Sequence, residues 1–161
     1  MTPVNLMYAL ANLLKEANKN YFLTDELAKD KKLIIVPGRL PIKDSSKECK
    51  TPSITPVVID IEDEVYDGFS GKSTALVRIY IVTYNEDLSI GWQELYNLAE
   101  HTRQAILKKR TIGNKFELQL PLKSQFPEPL EQPDPNWIGF IEARYIVGQV
   151  KEVNYIDGVK Y

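Results

Sequence analysis

The sequence predicts an α+β fold: one domain, with an antiparallel sheet of about four strands and two main helices packed on one face. Three observations predict it. Four segments alternate apolar and polar residues at the strand period. Two longer segments repeat at the helical period. The strand segments run together, with one helical segment before them and one between, the order expected of helices segregated to one side of a sheet. The chain has 161 residues, 43% of them apolar. That is enough for a single domain with a sizeable core, and neither an internal repeat nor a second domain is visible.

Taken in order, Thr2-Pro3 reads as a hydroxyl cap followed by proline at the first helical position. Leu6, Leu10, Leu13, Leu14, Ala17 and Tyr21 then share one side, opposite Asn5, Asn12, Lys15 and Glu16. This predicts an amphipathic helix of about four turns. Thr24 to Ala28 adds a short helical turn. Leu33 to Val36 is an apolar run ended by Pro37-Gly38. Residues 37–56, rich in Pro, Lys, Ser and Thr, are expected to form a surface loop, long enough to have a contact role.

Val57 to Tyr66 is the first long strand, with Val57, Ile59, Ile61 and Val65 on one face and Asp60, Glu62 and Glu64 on the other. Residues 67–72 form a hairpin tip. The second strand, from Ser73 to Tyr84, turns Val77, Ile79 and Ile81 one way, and Leu76, Arg78, Tyr80, Val82 and Tyr84 the other. The second helix follows, with Trp92, Leu95, Ala99, Thr102 and Ile106 on one arc and Gln93, Asn97, Glu100, His101 and Gln104 opposite. Gly113-Asn114 stops it. Phe116, Leu118, Leu120 and Leu122 mark a third strand. Residues 121–136 hold five of the ten prolines and predict a stiff extended arm. Trp137 to Val147 is the fourth strand, with Trp137, Ile141, Ala143, Tyr145 and Val147 on one face. The tail, 148–161, is weakly patterned.

Composition narrows the function. The net charge of −2 gives no overall electrostatic case for nucleic acid or an anionic membrane. The lone Cys49 cannot form an internal disulfide, which fits a reducing compartment. The start has no basic signal-peptide region, and no apolar run reaches membrane-spanning length. These features predict a soluble cytoplasmic product.

Catalytic patterns are absent from the motifs. Gly71-Lys72-Ser73-Thr74 resembles the end of a phosphate-binding loop, but Tyr66 stands where its first glycine belongs and a strand follows instead of a helix. His101 is the only histidine and is expected on a solvated helix face. No C-x-x-C partner exists for Cys49, so no zinc site is written. Asp60, Glu62, Asp63 and Glu64, and separately Glu86 and Asp87, have hard-cation chemistry. Their alternation on a strand reads more simply as a wet face. Lys108-Lys109-Arg110 complements a helix C-terminus; nucleic-acid contact is its second reading. No serine, cysteine or threonine sits in a nucleophile context. The expectation is no enzyme, no cofactor and no metal.

Two features read as contact surfaces. The strand face with Leu76, Arg78, Tyr80, Val82 and Tyr84 is too aromatic to be simply wet. It meets either another subunit or an internal flap. The proline arm with Phe126 and Trp137 either clamps its own domain or reaches a neighbour.

The order of motifs resembles a known family. Ile81-Val82-Thr83-Tyr84-Asn85-Glu86-Asp87 is followed by Gly91-Trp92-Gln93-Glu94-Leu95-Tyr96-Asn97-Leu98, then Arg103-Gln104-Ala105-Ile106-Leu107 and Phe116-Glu117-Leu118. The arm from Pro127-Glu128-Pro129 to Pro133-Asp134-Pro135 and then Trp137-Ile138-Gly139 complete it. This pattern, over residues 50–150, resembles the tail-terminator or tail-completion (head–tail joining) proteins of long-tailed bacteriophages and prophages of Gram-positive bacteria. The resemblance implies a non-enzymatic virion part with an α+β fold. It would form a ring, often hexameric, that caps the tail tube, ends its polymerisation and offers a head-joining surface. The implied partners are copies of itself, the tail tube protein and a head–tail connector or neck protein. DNA would only pass through the lumen, which can therefore be acidic, and no membrane is involved. The implied location is the virion tail, and the host cytoplasm during assembly. Contractile tails and tail-like bacteriocins use related rings. Under this reading Phe69, Lys72, Arg78, Tyr80, Tyr84, Phe126 and Trp137 are the candidate subunit or tube contacts. The alternatives are a neck or head-completion adaptor, and a small metal- or nucleotide-dependent enzyme using the acidic strand.

Overall fold

The computed structural model describes residues 2–21, 23–24, 30–39, 52–65, 71–149, 155–156 and 159–160. Helix α1 spans Pro3–Asn18. Its start is closed reciprocally: the Asn5 amide donates to Thr2 Oγ1 (3.2 Å) and the Thr2 amide to Asn5 Oδ1 (3.1 Å), a capping box with asparagine in place of the usual acid. Leu6, Leu10, Ala11 and Leu14 are buried. Two short antiparallel strands, β1 (Leu23–Thr24) and β2 (Asp30–Lys31), pair with each other. Thr24 is therefore extended where a helical turn was expected; residues 25–28 of that turn lie outside the described residues.

The main sheet has β3 (Ile34–Ile35), β4 (Ser53–Val65), β5 (Gly71–Tyr84), β6 (Thr111–Ile112), β7 (Phe116–Gln125) and β8 (Asn136–Val147), in the order β3-β4-β5-β8-β7-β6. It curls into a half-barrel. The expected antiparallel sheet of about four strands is thus corrected to a mixed sheet of six. The four expected strands are its middle, and two dipeptide strands extend its edges. Strand β3 runs parallel to β4. Its ladder continues past the dipeptide, as the Ile34, Val36 and Gly38 amides donate in turn to the carbonyls of Pro52, Ile54 and Pro56. Strand β6 forms because Gly113 and Asn114 both have positive φ and the Lys115 amide donates to the Ile112 carbonyl. Those are the marks of a tight hairpin turn, whose three residues Gly113, Asn114 and Lys115 separate the paired Ile112 and Phe116. The pair read as a helix stop instead reverses β6 into β7. A further antiparallel pair joins β9 (Tyr155–Ile156) and β10 (Val159–Lys160).

Three boundaries also shift. Residues 53–56, expected in the surface loop, are the buried beginning of β4; 40–51 lie outside the described residues. The arm loses its first residues to β7, which runs on to Gln125. Pro121 is tolerated there because the ladder to β8 breaks between Gln119 and Lys123, and β6 pairs only as far as Glu117. Finally, a bulge between Val58 and Asp60 puts β4 out of phase. Val57 lies opposite Arg78, whereas Ile61 lies opposite Ala75 on the helix side. The single apolar face expected over Val57, Ile59, Ile61 and Val65 is therefore divided between the two sides of the sheet.

Helix α2 (Gly91–Lys108) and α1 pack on one sheet face. One apolar cluster joins Leu6, Leu10, Leu95 and Ile106 of the helices to Val77, Ile79, Ile81, Ile141 and Tyr145 of the sheet.

Candidate interaction surfaces

Alternation along β5 and β8 sends every second side chain away from the helices. Opposite pairs on that face are Arg78–Glu142, Tyr80–Phe140 and Leu76–Arg144. No described helix packs against it. At the β3 end Ser53, Thr55 and Val82 are buried; towards the middle Arg78, Tyr80 and Phe140 are half-buried. Arg78 donates through Nη2 (2.7 Å) and Nε (3.2 Å) to Glu142 Oε1. Its guanidinium lies 4.6 Å from the Phe140 ring centre, a cation–π geometry. Tyr80 leans on the same ring, centroids 6.1 Å apart. Tyr80 and then Glu142 push the Arg78 guanidinium further up from its ordinary value, keeping it charged. Arg144 donates to Thr74 Oγ1 (3.0 Å) and approaches Glu62 (3.4 Å) and Asp60 (3.9 Å). The structure thus brings Arg78 and Tyr80 together. Tyr84 stands further along the same face, its hydroxyl 2.6 Å from Glu86 Oε1. Lys72 is at the far end of β5, opposite Glu64. Phe69 lies outside the described residues.

The other two expected contact residues belong elsewhere. Trp137 is on the helix side, 8% exposed, and its indole donates to the Asn85 carbonyl (3.2 Å). It packs so closely on Gly91 that a Cβ there would sit 2.3 Å from Nε1. Its position is that of a buried brace between β8 and the start of α2. Phe126 stacks on Tyr96 (4.3 Å, 20°). Around them is an apolar cleft of about 430 Å³, walled by Leu88, Trp92, Tyr96, Pro127, Pro129 and Trp137. Trp92 and Tyr96 are both about half exposed, and Leu130 beside the cleft is fully exposed. Sequence reasoning placed Trp92 on the buried arc and did not single out Tyr96. The available signal was two aromatic residues four apart on a helix, facing a proline-rich arm.

A third surface is a groove of about 640 Å³ between α1, the end of α2 and β6. Tyr8, Ala9, Leu13 and Ala105 line it, and Lys108, Lys109 and Lys115 rim it.

The motifs weighed for chemistry have plain placements. Gly71-Lys72-Ser73-Thr74 is strand, laddered to β4. His101, expected to be solvated, is half-buried: its ring stacks on Tyr21 (4.5 Å) and Nε2 is 3.0 Å from the Ala17 carbonyl. The correction has a simple cause, since Tyr21 follows α1 and folds over the polar arc of α2. Asp63 accepts from the Ser73 hydroxyl. Among the described residues no three His, Cys, Asp or Glu side chains are grouped to hold a metal ion. No described helix is long and apolar enough to cross a membrane.

No protein-family model matches the chain, and no curated protein does. Among solved structures it is similar to a chain from the virion of a native gene transfer agent particle. That likeness covers 89% of this chain and 84% of that one at 11% identity, with a TM-score of 0.39. At so low a TM-score the two chains have no demonstrated common fold, so the functional reading rests on this chain's own residues.

Proposed function

We propose that the chain is a structural protein of a phage-like virion. It assembles with copies of itself into a ring that caps the tail tube, ends tube polymerisation and provides the surface joined by the head. The observation that carries this reading is the helix-free sheet face. There Arg78, Tyr80 and Phe140 form a half-exposed cluster of the residue types that dominate protein contacts. The Glu142 pair and the Phe140 ring hold the guanidinium in place before any partner arrives, which lowers the ordering cost of binding. The order of sequence motifs across residues 50–150 supports the same assignment. Under it the protein acts by contact alone: Arg78, Tyr80 and Tyr84 meet the tube or an adjoining subunit, and DNA passes through the lumen.

Deleting the gene and imaging the particles tests the proposal. Overlong or headless tails are expected; normal virions would overturn it. Purified protein added to polymerising tube protein should shorten the tubes, and Arg78→Ala with Tyr80→Ala should weaken that effect.

A further inference from the structure

The arm between β7 and β8 carries its most exposed apolar side chain at its tip. There Pro129–Glu131 forms a single 3-10 turn, and Leu130 within it is fully exposed. A lone exposed leucine is ordinary; this one differs in how it is held and in what flanks it. Gln132 is buried, its Nε2 donating to the Ile138 carbonyl (3.0 Å) and its Oε1 accepting from the Ile138 amide (2.8 Å). The Glu131 amide donates to the Glu128 carbonyl (2.8 Å) and closes the turn. Leu130 is thus presented on pinned backbone, so little order remains to be imposed on contact. Glu128 and Glu131, both exposed, flank it, Asp134 follows, and residues 124–137 hold no lysine or arginine.

The groove between α1, the end of α2 and β6 is the counterpart. Its apolar floor includes Leu13 and Ala105, and its rim carries the exposed Lys108, Lys109 and Lys115. The acid on the rim, Glu16, already has the Lys19 ammonium at 2.6 Å. Among the described residues neither these three lysines nor Glu128 and Glu131 have an ion-pair partner. An apolar knob between free carboxylates and an apolar groove between free ammonium groups match in shape and in sign.

Knob and groove cannot meet within one chain. Pro127 and Pro129 wall a cleft with Trp92 at the start of α2, whereas Lys108 and Lys109 stand at its end. The 18 residues of α2 span roughly 27 Å. The sheet repeats the separation. The arm leaves β7 beside the Gln125–Phe140 pair, while the groove borders the turn before Phe116, beside the Glu117–Ile146 pair. The two patches therefore lie at opposite ends of β7 and β8, both on the helix-covered side.

We infer that the groove takes the arm tip of a second copy of this chain. Leu130 enters between α1 and the end of α2, and Glu128 and Glu131 meet Lys108, Lys109 and Lys115. A patch at one end that binds a different patch at the other end of the next copy is a heterologous contact, the kind that closes into a ring. The inference rests on the ring reading above and names the surfaces that join its subunits.

The test follows assembly of the full chain by native mass spectrometry at modest ionic strength, and by the protein bound per tube end when tube protein is present. The unsubstituted protein should show a closed oligomer. Leu130→Ala changes a side chain that is fully exposed in the single chain, so the fold is kept, and the concentration of half-assembly should rise about tenfold. Glu128→Lys with Glu131→Lys reverses the arm; Lys108→Glu, Lys109→Glu and Lys115→Glu together reverse the groove. Each reversed protein alone should be monomeric. An equimolar mixture should re-form an oligomer in which the two alternate, because every arm then faces a groove of opposite sign. Misfolding would not be repaired by mixing, so the mixture separates lost contact from lost structure. An oligomer unmoved by Leu130→Ala or by either reversal, or reversed monomers that do not combine, would overturn the arm-and-groove contact and leave the ring reading standing. An unsubstituted chain that stays monomeric, in solution and on tubes, would overturn the ring and this contact with it.

Discussion

The two faces of β5 and β8 use the same backbone for different ends. On the helix side Val77, Ile79, Ile141 and Ala143 are closed from water and carry no polar group. One residue along, on the opposite face, Arg78, Tyr80, Phe140 and Glu142 are half-buried and held by an ion pair and ring contacts. One face is shaped by volume, the other by charge and aromatic geometry. The difference teaches that stability and contact can be altered separately on these strands.

Substitution should make that separation measurable. The largest effect is expected on the covered face. Ile79→Ala should cost about 2–5 kcal/mol in urea denaturation, through lost transfer energy and a cavity. Tyr80→Ala, its neighbour on the other face, should cost under about 1 kcal/mol while weakening control of tube length. Equal losses would break the comparison. Next comes Gly91→Ala, which drives a methyl into the Trp137 indole and should lower stability by about 1–3 kcal/mol; an unchanged melting temperature would show that Trp137 is no brace.

Tyr145 sharpens the covered face from the other direction. Its hydroxyl is buried with no partner among the described residues, and burial pushes its pKa up from 10.0. A tyrosine whose folded pKa is raised by burial leaves stability unchanged by pH below its unfolded pKa and lowers it as pH rises from there towards the folded value. Tyr145→Phe should therefore abolish a loss of stability that begins near pH 10, and at neutral pH should gain about 1 kcal/mol. Denaturation curves at neutral and alkaline pH would check both signs. The smallest effect belongs to the open face: a double-mutant cycle of Arg78→Ala and Glu142→Ala should give about 0.5–1 kcal/mol of coupling, shrinking as salt is added.

Legibility in the sequence followed segment length. Strands β5 and β8 run for 14 and 12 residues, so their alternation named the buried set and the Arg78–Tyr80 face correctly. Strands β3 and β6 have two residues each, too few for a period to register. The bulge at Val58 was illegible for a different reason: one extra residue leaves local alternation intact and changes only which side it faces. For Trp137 the sequence left a clamp on its own domain and an outside contact both open, because tryptophan is common in interfaces and cores alike. Its partner was Gly91, a small residue distant in sequence. His101 needed Tyr21, which no helical wheel of α2 contains.

The strand order also sets a schedule for synthesis. Strand β5 can pair with β4 as soon as residue 84 has emerged, but its second edge must wait for Asn136–Val147. Until then the centre of the future sheet is a strand edge, the form of backbone most prone to recruiting another chain. Helix α2 is made in that interval. Docked on the apolar face of β5, as it is in the finished fold, it would shield side chains before β8 arrives, though not backbone. Ribosomes stalled within residues 112–135 should therefore carry the most aggregation-prone form of this protein.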